Sequence, residues 1–105
     1  KYYLISSRFA FLKKRTDEII KKHNLNLIFD DMFFNFQNLQ PHIFKKSVAE
    51  KLKLDYYIDD DLPLLLFLAK TDSSTKFYWL NKKKVGQLSK NIFAIIKLSD
   101  FLKYT

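Results

Sequence analysis

The sequence Leu54-Asp55-Tyr56-Tyr57-Ile58-Asp59-Asp60-Asp61-Leu62-Pro63 places three consecutive carboxylates directly after an apolar segment. The short run of aromatic and β-branched residues predicts a buried strand, and the Asp-Leu-Pro that follows predicts a turn into a helix. Adjacent carboxylates repel one another at neutral pH, so solvent or a bound cation has to take up their charge. Because ligands of open α/β sheets bind beyond the carboxyl ends of the strands, this stretch is a candidate Mg²⁺ site. A structural alternative is that the acids cap the helix that follows.

Composition indicates a single domain over residues 1–105. Hydrophobic residues make up 48% of the chain and aromatic residues 17%, which suffices for a packed core. The chain has no Cys, which excludes disulfides, thiolate metal sites and a Cys nucleophile. No apolar run has the length of a membrane span and no secretory signal opens the chain, so we expect a cytoplasmic protein without membrane contact.

The positive charge of the chain is compatible with several kinds of partner. The net charge of +8 comes mainly from residues 13–15, 21–22 and 82–84. This positive charge could attract nucleic acid, anionic lipid or a phosphorylated substrate, or it reflects the base composition of an AT-rich genome.

The single methionine is Met32, and Lys1 directly precedes an apolar strand pattern. We therefore expect these residues to be the rear part of a longer or processed polypeptide.

Apolar periodicity predicts strands that alternate with helices. The predicted strands cover residues 2–5, 27–29, 32–34, 54–58, 77–80 and 92–96. The predicted helices cover residues 9–23, 44–53, 62–69 and 100–104. This alternation is typical of an α/β layered fold with a mainly parallel sheet.

Three spaced motifs belong together. In the first motif, an apolar strand ends in Ser6 and Arg8 follows two residues further on. In the second, Lys45 lies at the start of the helix that precedes the acidic strand. In the third, the acidic strand ends in Asp59 and Asp60. In this order the motifs resemble the C-terminal part of a haloacid dehalogenase-like (HAD) phosphohydrolase of the nucleotidase type. The resemblance extends over nearly the whole chain.

The resemblance implies a three-layer, Rossmann-like HAD fold and a Mg²⁺-dependent phosphatase. Its substrate would be a small phosphorylated molecule such as a 5′-nucleotide. Ser6 and Lys45 would be catalytic, since a hydroxyl and an ammonium aimed at the phosphoryl oxygens stabilise their charge during transfer. Asp59 would bind the metal, with Asp60 as a direct or water-mediated ligand. Arg8 would contact the substrate phosphate or pair with a surface acid.

Three residues leave alternatives open in this interpretation. Asp61 is expected to cap the following helix rather than bind metal. Lys46 could replace Lys45 as the functional lysine, although the spacing to Asp59 favours Lys45. Ser6 could instead satisfy backbone groups at the end of its strand.

The chain also departs from the family pattern. The family nucleophile is an Asp in an Asp-x-Asp motif that ends a central strand upstream of the Ser6 strand, and no such strand precedes Tyr2. The resemblance therefore implies a sheet without its central first strand, with two inner edges left unpaired. We expect an upstream segment, a separate chain or a swapped copy to supply that strand and its nucleophile.

Two other classes of function compete with the phosphatase. One is a catalytically inactive HAD-like domain that serves as a binding or scaffold module. The other is a basic nucleic-acid-binding module in which the lysine clusters contact phosphates and Tyr78 and Trp79 stack on bases.

Overall fold

A computed structural model describes residues 1–100 as a mixed α/β structure. Its contacts divide the chain into two compact units with the boundary between Leu52 and Lys53. The predicted α/β class with mostly parallel strands is confirmed. The single domain over residues 1–105 stays a prediction. In the described part of the chain, no helix combines the length and apolarity that a membrane crossing requires.

The first unit contains two parallel strands, β1 (Tyr3–Phe9) and β2 (Asp31–Asn35). Between them the chain forms a 3-10 turn (Ala10–Leu12), helix α1 (Lys13–His23) and the short helix α2 (Leu25–Ile28). Helix α3 (Pro41–Leu52) follows β2 and packs against both strands. The buried side chains of α3 are Phe44, Val48 and Ala49.

The start of the first unit differs from the prediction. The first strand does not end before Ser6 but continues to Phe9, so α1 begins at Lys13 instead of residue 9. Regular pairing with β2 does stop at Ser6, because the register shifts between Ser6 and Phe9. Beyond Ser6, the Asn35 side-chain amide holds the strand by donating to the Ser7 carbonyl at 3.4 Å. Ser6 therefore lies at the end of the regular ladder but inside the strand.

The predicted strand at residues 27–29 is wrong. Asn24 ends α1 in the left-handed conformation with φ of 52°, and the chain then turns directly into α2. Phe29 N–H donates to the Leu25 carbonyl at 3.1 Å, which closes that helical turn. Leu27 is 79% exposed, so this apolar run is not a buried strand. The predicted strand at residues 32–34 is confirmed within β2.

The second unit is a four-stranded sheet with one helix. Its elements are β3 (Tyr56–Asp59), α4 (Leu62–Ala69), β4 (Lys76–Leu80), β5 (Gly86–Ser89) and β6 (Ile92–Ile95). The strand order is β3-β4-β6-β5, in which the first three strands are parallel and β5 is antiparallel to β6. The core consists of side chains from β3, α4, β4 and β6: Tyr57, Leu64, Leu65, Leu68, Phe77, Tyr78, Ile92, Ala94 and Ile95.

Strand β5 was not predicted, because Gln87, Leu88 and Ser89 are exposed and carry no apolar alternation. It begins at Gly86, whose φ of 118° is a conformation that other residues rarely adopt. The predicted helix over residues 100–104 lies outside the described residues except for Asp100. The Asp100 carboxylate accepts from Lys97 N–H at 3.1 Å.

Four strands have a single hydrogen-bonded neighbour within residues 1–100. Strands β1 and β2 pair with each other, strand β3 pairs with β4, and strand β5 pairs with β6. Each sheet described there therefore has two edge strands. Such edges are usually paired or protected in folded proteins.

Candidate functional site

The acidic turn, which we define as Asp59, Asp60 and Asp61, lies at the carboxyl end of β3 as predicted. Asp59 is half-buried, and its carboxylate accepts hydrogen bonds from Asp61 and Tyr57. Its Oδ1 accepts from Asp61 N–H at 3.2 Å, and its Oδ2 accepts from the Tyr57 hydroxyl at 3.4 Å. These contacts fix the orientation of the carboxylate at the strand end.

Asp61 and Asp60 have different surroundings. Asp61 is the N-cap of α4, and its Oδ1 accepts from Leu64 N–H at 3.1 Å, which confirms the predicted cap. Asp60 is exposed, and its backbone carbonyl accepts from the Trp79 indole at 3.1 Å. The Asp60 carboxylate has no hydrogen bond to any other described residue. The turn thus combines an oriented carboxylate, a solvent-facing carboxylate and a structural cap.

Tyr57 contacts this turn through its hydroxyl group, and the sequence analysis did not predict this contact. Burial raises the pKa of the Tyr57 phenol far above its ordinary value, and the nearby charge and hydrogen bond of Asp59 raise that pKa further. Tyr57 therefore stays protonated at physiological pH and acts as a hydrogen-bond donor to Asp59. The alternation of side chains along a strand, which puts residues i and i+2 on one face, was the available signal.

The donor set of the acidic turn fits Mg²⁺. This ion takes oxygen ligands and is commonly held by one or two carboxylates with water and substrate phosphate. Asp59 and Asp60 supply two carboxylates. No cluster of three or more His, Cys, Asp or Glu side chains occurs among residues 1–100, which a two-carboxylate site does not require.

Ser6 and Arg8 lie together on β1. The Ser6 Oγ accepts from Arg8 N–H at the long distance of 3.4 Å, and its own proton has no acceptor among the described residues. The Arg8 Nε donates to Thr16 Oγ1 at 2.9 Å, while Thr16 in turn donates to the Leu12 carbonyl. No acid in residues 1–100 pairs with Arg8, so the surface ion pair considered for it is not found there.

The two candidate lysines lie on α3. Lys46 Nζ is 3.5 Å from Glu50 Oε1, four residues further along the helix. Lys45 and Lys46 are both half-buried. The ion pair gives Lys46 a structural role, and Lys45 stays the predicted functional lysine.

The candidate residues therefore form two groups. Ser6, Arg8 and Lys45 belong to the first unit, in which α3 packs against β1. Asp59 and Asp60 belong to the second unit. Each group lies within one unit on elements whose packing is described.

A cavity of about 350 Å³ in the first unit was not predicted. We call it the aromatic pocket; it is lined by Phe34, Asn35, Phe36, Gln37, Leu39, Phe44 and Ser47. It lies where β2 ends and α3 begins. Asn35, which is 1% exposed, holds the connecting loop by donating to the Leu39 carbonyl at 2.7 Å and accepting from Leu39 N–H at 2.9 Å. A single Asn within an aromatic run was the sequence signal for this bend.

One proposed nucleic-acid contact is wrong. Tyr78 is fully buried in the core of the second unit and stacks on Phe93, so it is not available to a base. Trp79 is half-buried, with its indole N–H bonded to Asp60. The predicted pair of stacking aromatics on β4 is therefore absent.

Comparisons of the chain with protein-family models, with curated proteins and with solved structures gave no match. The fold and site define a mixed α/β protein with parallel strands and an acidic turn at a strand end.

Proposed function

We propose that this chain is the C-terminal part of a Mg²⁺-dependent HAD-type phosphatase that acts on a small phosphorylated substrate. The observation that carries the proposal is the acidic turn at the carboxyl end of the parallel strand β3, with its oriented Asp59 and exposed Asp60. Carboxyl ends of parallel strands are where α/β folds bind ligands. We propose a HAD-like fold for the protein on the same grounds.

A missing central strand would pair with edge strands of this chain. In the HAD arrangement, the nucleophile strand lies between the strand that ends near Ser6 and the strand that ends at Asp59. Those strands, β1 and β3, are edge strands among residues 1–100, as are β2 and β5. We infer that a segment outside this chain pairs with β1 and β3 and carries the Asp nucleophile.

The residues of this chain would then position and stabilise the phosphoryl group. Asp59 and Asp60 would hold Mg²⁺, which would neutralise phosphate charge. The Ser6 hydroxyl, whose proton has no acceptor in the described structure, would donate to a phosphoryl oxygen. Lys45 would add a positive charge, and Arg8 would contact the substrate phosphate. Such fixed donors stabilise negative charge that spreads over the transferred group.

Phosphate release by the natural full-length polypeptide tests this proposal. We expect hydrolysis of phosphomonoesters in Mg²⁺ and none in the presence of a chelator, whereas residues 1–105 alone should be inactive because they lack the nucleophile. An Asp-x-Asp strand should precede Lys1 in the natural sequence or occur in a partner chain. If neither the strand nor the activity is found, the inactive HAD-like scaffold becomes the better interpretation.

A further inference from the structure

A cluster of lysines in the second unit has no part in the acidic turn. Lys82, Lys83 and Lys84 lie in the turn between β4 and β5, and Lys97 lies two residues after β6. All four side chains are exposed. Within residues 1–100, none of these ammonium groups forms an ion pair. Such a concentration of like charge on a surface attracts a negatively charged partner.

Asn81 fixes the shape of the turn that carries the first three lysines. Its side-chain oxygen accepts from Lys83 N–H at 2.9 Å and from Lys84 N–H at 2.6 Å. Its side-chain nitrogen donates to the Ile95 carbonyl at 3.2 Å, which ties the turn to the end of β6. These bonds engage the backbone of the turn, so the lysine side chains are left exposed.

Exposed aliphatic side chains occur beside these lysines. Val85 is 60% exposed, Ile96 40% and Leu98 59%. Gly86 pairs with Ala94 in the antiparallel ladder of β5 and β6, so the residues before β5 and those after β6 lie at the same edge of the sheet. At this edge, four lysines and three exposed aliphatic side chains lie together. We call this surface the basic edge and define it as residues 82–85 and 96–98.

Nearby carboxylates reduce the charge of the basic edge but do not cancel it. The Asp100 carboxylate accepts from Lys97 N–H at 3.1 Å, which places one negative charge beside four positive ones. The acidic turn lies at the end of β3, and β4 separates β3 from β6. Two strand spacings put it about 10 Å from the end of β6, which exceeds the Debye length of about 8 Å at physiological ionic strength. The β5 side of the sheet therefore carries surplus positive charge.

The mixture of lysines and aliphatic side chains suits a lipid surface better than a nucleic acid. Anionic headgroups attract ammonium groups, and aliphatic side chains enter the boundary between headgroups and acyl chains. Nucleic acid offers phosphates but no apolar layer, and the basic edge contains no aromatic residue on which bases would stack. We propose that the basic edge docks the protein on a membrane surface that contains anionic lipids. A surface contact requires no spanning segment, so this proposal replaces the expectation of a protein without membrane contact.

Flotation of the natural full-length polypeptide with lipid vesicles tests the proposal. We expect binding to vesicles of phosphatidylcholine mixed with phosphatidylserine, and no binding to vesicles of phosphatidylcholine alone. The combined variant Lys82→Gln, Lys83→Gln and Lys84→Gln should weaken this binding by about 100-fold, because three lysines that contact the anionic surface are lost. Vesicle binding is measured without substrate, so its outcome is independent of the proposed phosphatase.

The matched control removes the same charge from the first unit. The combined variant Lys14→Gln, Lys21→Gln and Lys22→Gln replaces three exposed lysines of α1. It should bind the anionic vesicles as strongly as the wild type. Equal weakening by the two triple variants would show general attraction to the positively charged protein and would overturn the basic edge as the docking site.

A second variant separates lipid from nucleic acid. Val85→Thr combined with Leu98→Gln retains every lysine and should weaken vesicle binding by about 10-fold, because less apolar surface enters the lipid. Circular dichroism would show that each variant is folded. Undiminished vesicle binding by this variant would overturn the proposal, as would a wild-type protein that binds neither kind of vesicle or both equally. Binding to single-stranded or duplex DNA in place of vesicles would assign the lysines to nucleic acid.

Discussion

Ser6 lies directly opposite Phe34 in the parallel ladder of β1 and β2, at the last regular pair before the register shifts. The hydroxyl of one strand and the aromatic ring of its neighbour are thereby held at one end of the sheet. The neighbouring Ser7 has its side chain on the other face, since side chains alternate along a strand. Ser6 and Ser7 have the same side chain on opposite faces of the sheet. Comparing their substitutions therefore tests whether the position of the hydroxyl group matters.

We predict that Ser6→Ala lowers kcat of the full-length protein by about 10-fold to 100-fold, whereas Ser7→Ala has little effect. The reason is that loss of one donor to developing negative charge typically costs catalysis a factor of this order or more. Asn35 bonds to the carbonyl of Ser7, which alanine retains. Steady-state phosphate release by both variants is the measurement, and equal rates for the two would remove Ser6 from the site.

The adjacent lysines of α3 should also differ. Lys45→Ala is expected to reduce kcat/KM by about 100-fold or more, because the proposed role of Lys45 is to place a positive charge next to the phosphoryl group. Lys46→Ala should retain activity, and loss of its i,i+4 ion pair with Glu50 should lower the stability by about 0.5 kcal/mol. The reverse order of activities would assign the catalytic role to Lys46.

The cap of α4 predicts a difference in stability within the acidic turn. Asp61→Ala should lower the free energy of unfolding by about 1 kcal/mol, since the cap bond to Leu64 N–H is lost. Asp60→Ala should change it little, because the Asp60 carboxylate has no bond to another described residue. Urea unfolding without divalent cations measures both variants. Similar losses in the two would contradict the assignment of the cap.

Asp72 predicts a dependence of stability on pH. Partial desolvation raises the pKa of this carboxyl, but hydrogen bonds from Thr75 and Ser74 outweigh it and leave the pKa below its usual value. A pKa that is lower in the folded state stabilises the fold above the unfolded-state value of about 3.9. This contribution disappears as the pH falls through the folded pKa.

Comparison with Asp72→Asn would measure that contribution. The variant retains an oxygen acceptor for the backbone N–H groups but cannot ionise. It should be less stable than the wild type at pH 7, and the difference should shrink as the pH falls below the unfolded-state pKa of about 3.9 and through the lower folded-state pKa. A difference that stays constant as the pH is lowered would show that the charge of Asp72 does not stabilise the fold.

The parts of the fold that local chemistry determines could be predicted. Helix α4 has the predicted bounds because Asp61 caps it and Pro63 occupies its first turn, where a missing N–H costs little. Strand β3 ends at Asp59, which is the first carboxylate of the acidic turn. The acidic turn was therefore predictable from ten consecutive residues.

Helix α2 and the aromatic pocket depend on local turns and tertiary contacts, which the pattern of apolar residues in the sequence does not reveal. Residues 25–28 form α2 because Asn24 turns the chain, although their composition suits a strand. Phe34 and Phe36 are two residues apart, a spacing that puts both side chains on one face of a strand, and their rings stack although β2 ends at Asn35. The aromatic pocket is lined by the turn after β2 and by α3, which are brought together by tertiary contacts.

Asp59 provides the most direct test of the proposed metal site. Asp59→Asn keeps the side-chain shape and an acceptor for Asp61 N–H but removes the charge that would bind Mg²⁺. Asp55→Asn, at an exposed position just before the same strand, removes an equal charge and is the matched control. Calorimetric titration of Mg²⁺ into the full-length polypeptide measures both variants.

We expect wild-type protein and Asp55→Asn to bind Mg²⁺ and release phosphate in its presence, and Asp59→Asn to do neither while remaining folded. Mg²⁺ binding and Mg²⁺-dependent phosphate release that survive in Asp59→Asn would contradict the assignment of the acidic turn as the metal site.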